Sequence, residues 1–141
     1  YSGISVGGSK YCNISGNRIA GNEHGVMLLS SYHCVVSKNY FELIGFSSAI
    51  RLSYSNSNLI MGNYVTNCTE GIQIRLGSSN NLVTENTVTN CYSVAFRFLG
   101  GYSPPRYYEP NNNIVTRNVF SNSGVGATIY RACLVHRLSL R

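Results

Sequence analysis

The chain has 141 residues, of which 43% are apolar and only 11% charged, with a formal net charge of +6. That length allows one domain, and no stretch approaches the roughly 18 apolar residues of a membrane span, which excludes a transmembrane helix. Arg131, Arg137 and Arg141 close the chain, so the body before them carries only +3; its cations fall about one per repeat without a Lys/Arg cluster, which argues against a nucleic-acid partner.

From the start, residues 3–9 (GISVGGS) match residues 71–78 (GIQIRLGS) in type, so the chain is expected to open partway round a repeat of a longer solenoid. Five asparagines, Asn17, Asn39, Asn63, Asn86 and Asn118, then recur at intervals of 22, 24, 23 and 32 residues. Their windows read CNISGNRI, CVVSKNYF, NLIMGNYV, NLVTENTV and NIVTRNVF. In each, the residue three before the asparagine is apolar (Ile14, Val36, Ile60, Val83, Val115), as is the residue two after it (Ile19, Phe41, Val65, Val88, Phe120). A second apolar stretch follows each window, as in Ile72-Gln73-Ile74-Arg75-Leu76, with the two-residue period of a strand. The long interval holds one coil plus an insertion over residues 100–110, GGYSPPRYYEP.

No window can bury its apolar face alone, and fixed-period units of this kind stack into a solenoid. A rung of 22 to 24 residues with three short strands separated by Asn, Gly and Ser turns predicts an all-β parallel β-helix of about five to six coils, with neighbouring coils roughly 4.8 Å apart. The anchor asparagines are expected to adopt the tight or left-handed turn conformation and to hydrogen-bond amide to amide up a ladder. The solenoid should occupy residues 1–130. Residues 131–141, RACLVHRLSLR, leave the pattern; Leu134, Val135 and Leu138 suit one face of a short cap helix or strand, and a truncated, unpacked tail is the other reading.

Cys12 and Cys34 share the slot five before the anchor, and Cys68 and Cys91 the slot five after it. Each pair should stack in neighbouring coils. Two readings stay open: a bridge across the rung, or a ladder of small buried residues replacing Asn or Ser. Cys133 has no counterpart.

The pattern N-x-I-x-x-N-x-I followed by G-I-x-L and S-x-x-N, best seen in residues 56–86, resembles the NosD-like and carbohydrate-binding and sugar-hydrolysis (CASH) families of right-handed parallel β-helix repeats. The likeness covers roughly residues 3–130. It implies an exported protein, extracellular, at the cell surface or periplasmic, that deals with carbohydrate; it is specific for fold and weak for activity. Further coils of the same solenoid are expected partners.

Arg51, Arg75 and Arg97 are 24 and 22 residues apart and each lies between two apolar residues, so they are expected to form one outward column. Stacked like charges repel by about a kcal/mol per close pair. An anionic polysaccharide, uronate or sulfated, lying along the face would compensate; alternatively the side chains splay into water over their own stems. The insertion brings Tyr102, Arg106, Tyr107 and Tyr108 beside the same strand, either as a sugar-stacking or interface surface or as a self-packed loop.

Catalysis has little support in this chain alone. It contains no Asp, and Glu23, Glu42, Glu70, Glu85 and Glu109 fall at different offsets, so no carboxyl pair is placed. Glu70 with Arg75 or Arg97 is the one thin candidate. His24, His33, Met27 and Met61 also differ in offset, so neither a metal nor a cofactor is expected, and both histidines read as turn residues. Three functions follow: a carbohydrate-binding segment, a structural spacer, or part of a polysaccharide lyase, hydrolase or epimerase whose carboxylates lie outside this sequence.

Overall fold

A computed structural model describes residues 1–103, 106–130 and 135–138. Three parallel sheets run the length of the molecule. The first holds the long strands β1 (Ser2–Gly7), β4 (His24–Leu29), β7 (Ser48–Ser53), β10 (Glu70–Arg75), β13 (Val94–Leu99) and β18 (Val125–Tyr130). The second holds β2 (Asn13–Ser15), β5 (Val35–Ser37), β8 (Leu59–Met61), β11 (Leu82–Thr84), β16 (Asn113–Thr116) and β19 (Val135–Leu138). The third holds β3 (Arg18–Ala20), β6 (Tyr40–Glu42), β9 (Tyr64–Thr66), β12 (Thr87–Thr89) and β17 (Val119–Ser121). The chain visits the sheets in turn, which is the expected three-strand coil. No helix among the described residues is long and apolar enough to cross a membrane.

The apolar positions read from the windows fill the interior. Val36, Ile60, Val83 and Val115 from the second sheet and Phe41, Val65 and Val88 from the third are fully buried. The first sheet adds two inward residues per strand, among them Ile50 and Leu52, Ile72 and Ile74, and Phe96 and Phe98. Phe96 packs edge-on to Phe98 and stacks on Phe120, with ring centroids 4.9 and 5.7 Å apart. Burying a side chain of this size contributes about 1.5–3 kcal/mol, so each coil is held by the one it stacks on.

The anchor asparagines do form the ladder, but they are not the residues that turn the corner. Left-handed backbone belongs to the residue just before each one: Gly16, Lys38, Gly62, Glu85 and Arg117, with φ between 53° and 69°. Two further columns do the same at the other corners, Tyr11–His33–Ser57–Asn80–Asn112 and Gly21–Leu43–Asn67–Asn90–Asn122. His33 is thus a corner residue, as read from sequence. The asparagine side chain is instead recruited by the corner. The Oδ1 of Asn63 accepts both the backbone N–H and the Nδ2 of Asn39 at 3.0 Å, and Asn86 serves Asn63 in the same way at 2.9 Å. From Asn39 onward each Nδ2 also reaches back to a carbonyl of the preceding coil, as Asn86 does to Ile60 at 2.9 Å.

A second amide ladder, Asn58–Asn81–Asn113, runs beside the second sheet. Cys12 and Cys34 occupy its slot in the first coils, and the Cys34 backbone N–H donates to Asn58 Oδ1 at 2.8 Å. Cys12, Cys34, Cys68 and Cys91 are free thiols, which matches the small-residue reading. Burial pushes the Cys68 thiol up to about 12.

In the insertion, β14 (Gly101–Ser103) and β15 (Arg106–Tyr108) pair antiparallel as the two arms of a hairpin that leaves the solenoid after β13. In the tail, Val135–Leu138 adds a parallel strand to β16 rather than a helix, with a register shift; Leu134 and Cys133 lie outside the described residues. A cleft of about 370 Å³ lined by Ser2, Ile4, Arg18 and Ile19 opens at the first coil, away from the arginine-bearing face.

Candidate functional site

Inward apolar doublets fix the register of the first sheet. Ile50 and Leu52 align with Ile72 and Ile74, and these with Phe96 and Phe98. The residue between each doublet faces out, so the column is Met27, Arg51, Gln73, Arg97 and Thr128. Arg75 is not in it. It pairs with Ser53 and Leu99, two residues further along the strand on the same outward face. The expected three-arginine column was misaligned because Leu76 looks like an inward residue; Leu76 in fact has φ 51° and belongs to the bend after β10.

This register changes the electrostatics. Gln73 separates Arg51 from Arg97, and Glu70, which opens β10, also faces outward. Arg97 Nη1 pairs with Glu70 Oε1 at 2.7 Å. The other carboxylate oxygen accepts from Gln73 Nε2 at 3.1 Å and from Ser48 Oγ at 3.3 Å. Glu70 therefore neutralises Arg97 and ties three strands together. Arg51 and Arg75 form no ion pair among the described residues, and the Nε of each is buried without a hydrogen-bond partner. Burial and the nearby Arg75 pull Arg51 below its ordinary value, with Glu70 opposing. A guanidinium does not shed its proton in a protein; it is a cation whose desolvation an anion would relieve.

His24 opens β4, in the row that runs through Ser48 to Glu70, rather than sitting in a turn. Its Nδ1 is buried without a partner, and burial, then Arg51, hold the imidazole below the usual 6.5. The folded chain thus takes up this proton less readily than the unfolded chain. As pH falls through 6.5 the unfolded state is protonated first, and stability drops. The urea midpoint of the parent chain should fall further between about pH 7 and pH 5 than that of His24→Gln. Equal falls would remove His24 from the account.

The hairpin stands at the end of the arginine-bearing strands. Tyr108 packs edge-on to Tyr54 with centroids 5.4 Å apart and lies against Gly77, so it covers the bends that follow β7 and β10. Tyr107 is 61% exposed and Arg106 is exposed, so the two face outward. The side chain of Tyr102 lies outside the described residues. Of the residues singled out from sequence, the fold brings Arg51, Arg75 and Arg97 onto one face and assigns Tyr108 to packing. Gln73, Ser48 and His24 were missed; aligning the strands on their apolar doublets exposes Gln73.

Among the described residues no cluster of three His, Cys, Asp or Glu is arranged to hold a metal.

A sequence comparison with curated proteins finds no match. Solved structures do match. The chain superposes on a double mutant of the periplasmic alginate epimerase AlgG with a TM-score of 0.83 and 21% identity, covering 99% of this chain and 36% of that one. It superposes on the tailspike protein of E. coli bacteriophage HK620 in complex with a pentasaccharide with a TM-score of 0.62 and 16% identity, covering 84% of this chain and 28% of the tailspike. At these identities the likeness is one of fold, and the chain spans about a third of either protein. The family model described as the right handed beta helix region matches residues 1–139, and with the three-sheet solenoid behind that match the chain belongs to the right-handed β-helix family.

Proposed function

We propose that this chain is part of an exported β-helix protein, working outside the cytoplasm, that binds or presents anionic polysaccharide on the outward face of its first sheet. The observation that carries the reading is the Arg51–Arg75 pair: two cations, partly buried, held on adjacent rigid strands and forming no ion pair among the described residues. Arg97 extends the face, and the exposed residues Arg106 and Tyr107 supply a side wall. The polysaccharide connection of the solved neighbours, an alginate epimerase and a tailspike holding a pentasaccharide, supports the ligand class. Further coils with the same face would lengthen the site.

The test is binding of the folded chain to uronate-containing, sulfated and neutral polysaccharides at several salt concentrations. Charge-assisted hydrogen bonds contribute about 1.5–3 kcal/mol, so Arg75→Glu should weaken binding to anionic glycans by roughly ten- to a hundredfold. Affinity for those glycans should fall as salt rises. A monodisperse, β-rich sample that binds no anionic glycan would sink the reading and leave a structural spacer.

The second reading, a segment of a polysaccharide-modifying enzyme, draws on Glu70 and His24 sharing the arginine face. Turnover of a bound anionic glycan by the chain joined to its neighbouring coils would establish it.

A further inference from the structure

Gln73 is the least expected residue on the face. It is 5% exposed although its side chain points outward, between the Arg51 and Arg97 rungs. Its amide has only one orientation that fits. Glu70 is ion-paired with Arg97 and can only accept, so the Gln73 atom that meets Glu70 Oε2 at 3.1 Å must be the Nε2 donor. That leaves Oε1 turned away from Glu70, buried and without a partner among the described residues. A buried carbonyl oxygen without a donor costs about 1–3 kcal/mol, so it is retained where something else supplies the donor.

The neighbours do not supply it. Ser48 donates to Glu70, and the guanidiniums of Arg51, Arg75 and Arg97 make no hydrogen bond to Gln73 Oε1. The face thus offers unfilled cationic donors, Arg51 and Arg75 without an ion pair and Arg97 with only its Nε unfilled, around one unfilled acceptor. A simple polyanion satisfies the donors and leaves the acceptor empty. A sugar unit carrying an anionic group next to a free hydroxyl satisfies both: its charge draws the flanking arginine side chains of Arg51 and Arg97 off Gln73, and its hydroxyl then donates to the uncovered Oε1.

Resting on the anionic-polysaccharide reading above, we propose that Gln73 is a specificity-determining residue that reads a hydroxyl beside the charged group, with Glu70 as the positioning residue that holds its amide. The ligand class is then an acidic sugar with a free neighbouring hydroxyl, as in a uronate or in a partly sulfated unit.

The experiment compares galacturonate and mannuronate oligomers with their O-acetylated forms, in which the charge is kept and the hydroxyl donor is blocked, and adds a sulfated galactan oligomer with free hydroxyls. The parent chain should prefer the unacetylated uronates by about three- to tenfold, the range expected of one neutral hydrogen bond. Gln73→Met should bind both forms alike while keeping the salt dependence, and Gln73→Asn, too short to span the same gap, should also lose the preference. Tighter binding of the sulfated oligomer than of the uronates would assign the charge to a sulfate ester while leaving the hydroxyl reader in place. If the parent chain binds free and acetylated oligomers equally, and Arg75→Glu still weakens binding by the roughly ten- to a hundredfold expected above, the role of Gln73 is overturned and the recognition face stands. If no anionic oligomer binds, both readings fall. The acetylation comparison uses the parent chain, so it decides the matter even if a Gln73 variant folds poorly.

Discussion

Asn86→Ala is expected to lower the stability of the chain by about 2–4 kcal/mol, with ~1–3 kcal/mol for a buried donor left unpaired and ~0.5–1.5 kcal/mol for a buried carbonyl that loses one of its donors. One group of each kind is created. The Asn63 backbone N–H loses Asn86 Oδ1, and the Ile60 carbonyl loses Asn86 Nδ2, each from a 2.9 Å hydrogen bond. Both lie in the interior ladder, and alanine leaves little room for water to replace the amide. Asn17→Ala is the matched control. No N–H donates to the Asn17 side chain among the described hydrogen bonds, and its Nδ2 is half exposed, donating to Asn39 Oδ1 and the Ser15 carbonyl. Its loss should cost about 1 kcal/mol or less. Urea denaturation followed by far-ultraviolet circular dichroism gives the comparison. Equal midpoints for the two variants would mean that the ladder decorates the corners without holding them.

Gly71→Ala should be at least as damaging, by a steric route. An added Cβ would lie 2.2 Å from the Ala95 carbonyl oxygen and 2.4 Å from Val88 Cγ1. The first of these is backbone of the next rung and cannot swing aside. The coils must separate locally, with an expected cost of about 3 kcal/mol or more. Gly25 is in the same position against the Ala49 carbonyl, at 2.1 Å. Ala49 and Ala95 hold the equivalent site in the alternate coils, so the carbonyl of an alanine-bearing rung fills the space over a glycine-bearing one. Next to Gly126, in the last described strand of this sheet, no described residue comes within 4 Å of an added Cβ, and Gly126→Ala should be neutral or stabilising by about 0.4–1 kcal/mol. Thermal melts separate the cases: Gly71→Ala melting with the parent chain would show that the rungs tolerate the added methyl. Because Gly71 adjoins Glu70, a folded Gly71→Ala should also bind acidic glycans less well.

The face above Gly71 explains why like charges can be stacked on this solenoid. Repulsion between aligned guanidiniums is avoided by interleaving: Gln73 occupies the middle rung and Glu70 takes Arg97 into an ion pair. Positive charge is left concentrated at Arg51 and Arg75. A rigid sheet keeps these two in place without a ligand, so little ordering entropy is lost on binding.

The repeat itself was legible because it is a local pattern repeated at a fixed distance. Asn17 to Asn118 set the period, Ile14 to Val115 and Ile19 to Phe120 set the inward positions, and a strand period in the third stretch set the long sheet; burial of apolar side chains leaves few other ways to arrange such a sequence. The cysteine slots were legible for the same reason. Which residue turns each corner was not, because Asn and Gly both tolerate left-handed backbone and only the hydrogen-bond geometry shows that Lys38 and Glu85 turn while Asn39 and Asn86 cap. The functional face was half legible. Its outward arginines follow from alternation, but their alignment depends on register, and a slip of two residues preserves alternation while changing every neighbour across the rung. Only the packing of Ile72 and Ile74 against the doublets above and below put Gln73 between two arginines, gave Glu70 to Arg97, and left Arg51 and Arg75 together with no ion pair among the described residues.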